Sequence, residues 1–380
     1  MHSHDGQDHS HPDLLQSGGS DGLRILAIDV GAGTQDVLVY DSRTTPENSV
    51  KLVLPSQTQI VARRIRAATA AHKPVHLTGQ LMGGGASSGA AHDHLAHGLR
   101  VTSTAEAART LHNDPARVAK LGVEICKEAP ADAVEIRLQD VDLDGLAHAL
   151  ATFDVDLPAT VAIAVQDHGF RPGAGNNAVR FEYLQGLLDN GGDLAAMIYQ
   201  VPPAGMTRME AVAETAPGCY LMDTGAAAVL GALGDPVVAR AAEDDGAILI
   251  NVGNMHTFAT LVKNRRLYGL FEHHTGGISA EIIHELVELL RGGRIDASRF
   301  HEEFDGHGAA LNPTYLSEQP FQFVAVTGPN REIARSLGYH EAAPHGDMML
   351  SGAFGLVEGV LLALEGSNQR IGHSLIAKAL

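Results

Sequence analysis

The stretch I-L-A-I-D-V-G-A-G-T (25–34) returns 222 residues later as A-I-L-I-N-V-G-N-M-H (247–256), which places Asp29 over Asn251 and Gly31 over Gly253. A repeat of this kind marks one structural unit used twice. Each copy is an apolar, β-branched run closed by a glycine turn, the pattern of a buried strand. Around the first copy, residues 23–30 and 36–41 read as strands and K-L-V-L-P (51–55) as a third. Residues 57–71, with Ile60, Val61, Ile65 and Ala68 at helical spacing, predict a helix, and P-V-H-L-T-G (74–79) a further strand. After the second copy come strands at 257–263 and 267–272, a helix at 279–290 with Ile282, Ile283, Leu286 and Leu290 on one face, and a strand at 321–328. Two such copies predict an α/β protein of two similar sheet domains that share a cleft at their strand ends.

Between the copies, helices are expected near 103–113, 143–153 and 179–188, the last with Phe181, Leu184 and Leu188 as a core stripe, and strands at 133–139 and 160–166. The Gly-, Ala-, Ser- and His-rich stretch 83–98 reads as a loop. The expected organisation is a disordered His-rich tail (1–22), a first domain (23–235), a second domain (246–350) and a C-terminal helical segment (351–380).

Composition narrows the function classes. Lys and Arg number 27 against 45 Asp and Glu, a formal charge of -18. That leaves no basic footprint for nucleic acid or an anionic membrane, and it favours small molecules or proteins as partners. Cys126 and Cys219 are the only thiols, too few for a disulfide framework, a four-thiolate zinc site or the three-cysteine iron–sulfur ligand set of radical S-adenosylmethionine chemistry. With no apolar run of roughly 18 residues and a polar N-terminus, the expected address is the cytoplasm.

The turn D-V-G-A-G-T-Q-D (29–36) joins a strand-end carboxylate to two glycines and a hydroxyl. Glycines let backbone N–H groups approach an anion, and a carboxylate holds magnesium, usually through water, so the set suits a magnesium nucleotide; a plain glycine hairpin is the alternative. The Walker-type G-x-x-x-x-G-K-[ST] pattern is absent, and Gly31 and Gly33 lack the third glycine of a dinucleotide fingerprint.

These residues resemble the first phosphate motif of the actin, heat-shock chaperone and sugar kinase ATPase superfamily, and 247–260 resembles its second. M-D-T-G-A-A-A-V-L-G-A-L (222–233) is similar to the superfamily's connecting hinge helix. V-T-G-P-N-R (326–331) and P-H-G-D-M-M-L-S-G-A-F-G-L-V-E-G (344–359) resemble its adenosine region and C-terminal helix. More narrowly, the chain is similar to an uncharacterised family labelled as pyruvate formate-lyase activating enzymes, a label that two cysteines do not support chemically. The superfamily resemblance implies duplicated ribonuclease-H-like domains and ATP with Mg2+ as cofactors. By the same resemblance Asp29 would position the metal, and Gly31, Gly33, Thr34 and Gly253 would hold phosphate. Gly328, Asn330, Ser351, Gly352 and Ala353 would line the nucleoside pocket. Asn251 stands where the superfamily usually has Asp, removing one negative charge near the metal, and Met255 and His256 replace smaller residues, narrowing the phosphate path.

A kinase or ATPase also needs a group that orients or deprotonates the nucleophile. Asp167, in A-V-Q-D-H-G at a strand end with Gln166 and His168 beside it, is the candidate, a turn-capping role being its alternative. Gln80, in a stretch similar to the G-Q-M-H-G of sugar kinases, is a candidate acceptor contact, a strand end before a flexible lid being its alternative; His168, His273 and His274 are further candidates, and Glu272 is either the orienting partner of the histidine pair or a helix-side charge. The expected activity is phosphoryl transfer to a small molecule or ATP hydrolysis. A non-catalytic nucleotide sensor or assembly protein is the second reading. A metal-dependent enzyme is the third, built on histidine clusters such as His92, His94 and His97 with Asp93; structural or solvated histidines are the alternative there. His2, His4, His9 and His11 of the tail suit only weak metal binding.

Overall fold

The computed structural model describes residues 22–174, 177–312, 314–315 and 321–366. Residues 1–21 of the expected tail and 367–380 of the C-terminal segment lie outside the described residues.

The chain opens with β1 (Arg24–Val30), β2 (Thr34–Asp41), β3 (Val50–Pro55), α1 (Gln57–Ala70), β4 (Val75–Gly79), α2 (Gly85–Ala96), β5 (Val101–Ser103), α3 (Ala105–Ala108), α4 (Pro115–Lys120), β6 (Glu124–Ile125) and β7 (Val134–Leu138). It continues through α5 (Leu143–Ala151), β8 (Thr160–Val165), α6 (Ala178–Asp189), β9 (Ile198–Tyr199), α7 (Thr207–Thr215), β10 (Tyr220–Met222), α8 (Thr224–Ala232) and α9 (Pro236–Asp244). The second half comprises β11 (Ala247–Val252), β12 (His256–Lys263), β13 (Arg266–His274), α10 (Ala280–Arg291), α11 (Phe300–Phe304), β14 (Gly308–Leu311), β15 (Phe323–Thr327), β16 (His340–Glu341) and α12 (Ser351–Gly366).

Two mixed sheets have matching order, β3-β2-β1-β8-β10-β9 and β14-β13-β12-β11-β15-β16. In each, the first strand pairs antiparallel with the second and parallel with the strand that returns after the helices. The repeat survives at the level of register, since Asp29 lies opposite Asp36 and Asn251 opposite Phe258, pairs related by the same 222-residue offset. It also survives in the faces. Ile25 and Ala27, like Ala247 and Leu249, enter one central core, whereas Leu26, Ile28 and Val30 face an outer core with Leu146 and Met209. Ile248, Ile250 and Val252 face the other outer core with Ile283 and Leu286. Strand alternation thus gives each sheet one face toward its twin and one toward its own helices. This is the duplicated ribonuclease-H-like architecture of the actin-like ATPases.

Helices α8 and α12 fill the layer between the sheets. Every residue of α8 is buried except Thr224 at its first position. A Cβ at Gly231 would lie 1.7 Å from the Ser351 carbonyl oxygen, and one at Gly355 1.8 Å from that of Ala227. The helices therefore meet backbone to backbone, and only glycine fits at the two crossing points. Although α12 is long and apolar, the sheets cover it.

A third, all-parallel sheet, β6-β5-β4-β7, lies within the first half and has its own core of Val61, Ile65, Val75, Leu77, Val101 and Ile136. The strand expected at 74–79 forms as β4 in this sheet. Two local expectations are corrected. Residues 83–98 are not a loop but contain α2, whose buried positions are Ser87, Ala90, Ala91 and His94. A helix that buries only small residues and one imidazole carries no apolar period to read. The helix expected near 103–113 is the end of β5 followed by the single turn α3.

Replacing Gly355 by alanine should force α8 and α12 apart and cost about 2–4 kcal/mol in urea unfolding. Gly186→Ala, in α6 with open space around its Cα, should instead gain about 0.5–1 kcal/mol.

Candidate functional site

The two glycine turns are built alike. The Gly31 N–H donates to the Thr34 carbonyl at 2.9 Å and the Gly253 N–H to the His256 carbonyl at 3.0 Å. Both groups are thereby committed to closing their own turns, which leaves phosphate contacts to the N–H groups inside each turn. The turns face each other and touch: a Cβ at Gly33 would lie 2.9 Å from the Asn254 side-chain nitrogen. Asn254, whose side chain makes this contact, is exposed. Ser56 and Gln59 anchor the first turn from behind, both donating to the Ala32 carbonyl.

Asp29 ends β1 beneath the start of α12, where a Cβ at Gly352 would lie 1.9 Å from its Oδ2. Its Oδ1 is buried and has no hydrogen-bond partner. Burial, then the charges of Asp36 and Asp223, raise its pKa well above the ordinary carboxylate range. Asp36, directly across the strand pair, is pushed up to about 7 by burial, against a lowering bond from Thr34.

The residues expected around a nucleoside mostly brace the second turn. Asn330 donates through its side chain to the Gly253 carbonyl at 2.9 Å, and its N–H to that of Val252 at 3.0 Å. Gly328 has φ +99°, and a Cβ there would lie 2.6 Å from Asn251 Oδ1. The Ser351 hydroxyl donates to the Met348 carbonyl and lies 3.0 Å from the Thr327 hydroxyl, while Gly352 packs on Asp29 and Ala353 is buried in the central core.

Asp167, the candidate for orienting the nucleophile, is engaged in capping N–H groups. Its Oδ1 accepts from the Gly169 N–H at 2.8 Å, and its Oδ2 from the N–H groups of Arg208 at 2.7 Å and Met209 at 2.9 Å, at the start of α7. A carboxylate so occupied has little acceptor capacity left for a nucleophile's proton. Arg208 also donates to the Gln166 carbonyl and pairs with Asp140, which accepts from the Gly83 N–H. In this way the loop that begins with Gln80 is tied to the end of β8. Gln80 itself follows β4 in the third sheet and donates its N–H to Leu138.

The other side of the β8 end holds a polar network that the sequence did not announce. Arg180, in α6, is 3% exposed and pairs with both Asp223 and Glu272. Glu272 also accepts from the Gln166 amide at 2.8 Å and contacts His307 Nδ1 at 2.8 Å. Burial alone would raise Glu272, but Arg180 beside it holds the carboxyl below its usual range. His307 Nε2 lies 2.9 Å from a ring nitrogen of His274. His256 packs 4.5 Å from His307, centroid to centroid, and His168 lies 5.5 Å from His256. Burial pushes His168 down to about 4 and His256 down to about 3, so both imidazoles are neutral at neutral pH.

Of the expected substrate histidines, His168 and His274 therefore meet, joined by His256. His273 does not meet them. Strand alternation turns it to the opposite face of β13, where it is buried with its ring nitrogens on the Phe304 and His274 carbonyls. His92, His94 and His97 do not converge either: His94 is buried against the Thr69 hydroxyl, and His97 bonds the Asp93 carbonyl. Arg180 and His307 were missed. Arg180 sits on a helix whose stripe reads as core, and His307 is a single histidine in E-E-F-D-G-H-G (302–308). It comes to the site through Glu272, whose carbonyl accepts from the His307 N–H and whose Oε1 lies 2.8 Å from His307 Nδ1.

Comparison with known proteins gives a family but no curated counterpart, since no curated protein matches the sequence significantly. Among solved structures, the ethanolamine utilization protein EutJ from Carboxydothermus hydrogenoformans overlays at 12% identity, with 88% of this chain and 89% of that chain covered and a TM-score of 0.31. The PilM-PilN type IV pilus biogenesis complex overlays at 12% identity, 89% and 99% coverage and a TM-score of 0.32. These overlays are loose, and the fold assignment rests on strand order and register. Residues 82–333 match one family model across most of the chain, and the protein belongs to the family described as "Putative pyruvate format-lyase activating enzyme (DUF1786)".

Proposed function

We propose that the chain binds ATP with magnesium between the β1–β2 and β11–β12 turns, the terminal phosphate facing the end of β8. The observation that carries this reading is the pair of turns, alike in register and hydrogen bonding, that meet across the cleft at Gly33 and Asn254. The buried, unpartnered Asp29 Oδ1 suits a cation or its bound water. Magnesium there neutralises phosphate charge. The N–H groups of residues 32–34 and 254–255 would hold the phosphates, with displacement of the Asn254 side chain and hinge motion between the halves opening the way.

Turnover is the finer question. Asp167 is occupied by capping and Asn251 supplies an amide where an acid would serve, two features that favour a nucleotide sensor over a fast kinase. His168, neutral and at the strand end, is the group left there to take a proton from an acceptor hydroxyl or water. The activation chemistry in the family description is no part of this proposal, because Cys219 lies in the core of the first sheet while Cys126 sits at the edge of the third.

Calorimetric titration of ATP with magnesium checks the reading. Wild type should bind saturably, and Gly33→Val and Asp29→Ala should each weaken binding at least about tenfold, the loss of one charge-assisted contact or about 1.4 kcal/mol. Wild-type protein that binds no magnesium nucleotide overturns it. In the same samples, phosphate release that falls in His168→Gln while affinity holds assigns His168 to turnover; no release by wild type assigns the sensor.

Asp36 sets a pH dependence of stability. Its native pKa of about 7 exceeds the ordinary 3.8, so the native state holds the proton more tightly, and the carboxyl becomes a growing cost as pH rises between those values. Asp36→Asn should therefore gain stability relative to wild type from about pH 4 to about pH 7, by about 4 kcal/mol in total, and hold that gain above. Urea unfolding of both proteins across that range measures the difference.

A further inference from the structure

We infer that His256, His274 and His307 form a binding site for a first-row divalent transition ion at the mouth of the cleft, separate from any nucleotide magnesium. One nitrogen from each ring lies within 4.8 Å of the others. His256 and His274 are direct cross-strand partners of β12 and β13, and cross-strand partners share a face. His307 lies just before β14, outside the strand's alternation, and reaches the same face by donating its N–H to the Glu272 carbonyl at 2.9 Å and placing Nδ1 2.8 Å from Glu272 Oε1.

The surroundings are those of a built site. In metal centres, a ligating histidine usually gives its second ring nitrogen to a carboxylate, which fixes the tautomer. Glu272 stands in that position, 2.8 Å from His307 Nδ1, and leaves Nε2 to face His274. Glu272 is in turn fixed by the Gln166 amide and the buried Arg180 guanidinium. The buried charges Arg180, Asp223 and Glu272 sum to one negative charge beside the three imidazoles, which a cation offsets. His168 packs edge-on against His256 and His307, and its Nδ1 is buried without a partner. Three imidazoles and no thiolate suit zinc and its neighbours rather than magnesium, and three protein ligands leave a position open for water or substrate.

The site does not rest on the nucleotide reading, and its test omits nucleotide. The full chain is used, with His2, His4, His9 and His11 changed to glutamine to remove binding by the tail. After chelator treatment, equilibrium dialysis against zinc should load one ion per chain, and cobalt(II) in its place should show the visible bands of a low-coordinate imidazole site. His274 is exposed, so His274→Ala should keep the wild-type circular dichroism while weakening zinc binding at least about tenfold. Glu272→Gln should weaken it about 10- to 100-fold, as loss of an outer-shell carboxylate does. His284→Ala, on the exposed side of α10, should leave affinity unchanged. Absence of stoichiometric zinc in the tail variant, or wild-type affinity in His274→Ala and His307→Ala, overturns the inference.

Discussion

The approach of α8 and α12 to backbone contact at Gly231 and Gly355 is the constraint from which the rest of the architecture follows. Side chains at those positions would spread the helices, and the two sheets packed on either side of them would separate by the same amount. Because the helices touch, one core runs unbroken from Ile25 and Leu38 through Leu230 and Val357 to Leu249 and Leu270. The same closeness sets the start of α12 on the Asp29 carboxylate and brings the two glycine turns into contact. The helix crossing and the first turn therefore meet at one place, the start of α12, where Ser351 packs on Gly231 and Gly352 on Asp29.

A second link joins the halves near the cleft. Arg180 belongs to a helix of the first half, and Glu272 to a central strand of the second. Burying such charges costs several kcal/mol apiece before any pairing energy is returned. A pair of packed hydrophobic residues would hold the halves together with less penalty. What the ions add is direction: Arg180 fixes Glu272 Oε2 through two N–H groups, Glu272 Oε1 fixes the His307 tautomer, and Gln166 couples the end of β8 to the same Oε1. The network organises imidazoles, which is the use of buried polarity that apolar packing cannot replace.

The sequence was legible where chemistry repeats locally. The 222-residue offset anticipated two similar sheets with a shared cleft at their glycine turns, because buried strands must be apolar and a duplicated strand keeps its pattern. The helix at 280–291 was readable from its apolar stripe. By contrast, α2 was hidden because its buried face is alanine, serine and histidine, and the third sheet was hidden because strand order is a non-local property. At the site, position was readable and role was not. Asp167 stands at the expected strand end, yet the N–H groups that occupy it come from Gly169 and from α7, some 40 residues later. His307 and Arg180 gain meaning only through register and helix packing, while His273 and His274 look equivalent in sequence and are separated by the two-residue period of the strand they share.

The two copies of the turn have also diverged in a physically coherent way. The first keeps a carboxylate pair, Asp29 opposite Asp36, which is short of cationic partners and holds protons more tightly than usual. The second has replaced acids by Asn251 and Phe258 and acquired His256. Two acidic turns face to face would place four carboxylates around one gap, and Coulomb repulsion there would oppose closure without bound cations. With one turn neutral, the halves close on Asn254 without needing an ion, and the second turn is free to offer imidazole nitrogen instead of oxygen. The duplication thus sets oxygen donors in the first turn and imidazole nitrogen beside the second, donor sets that suit different classes of cation.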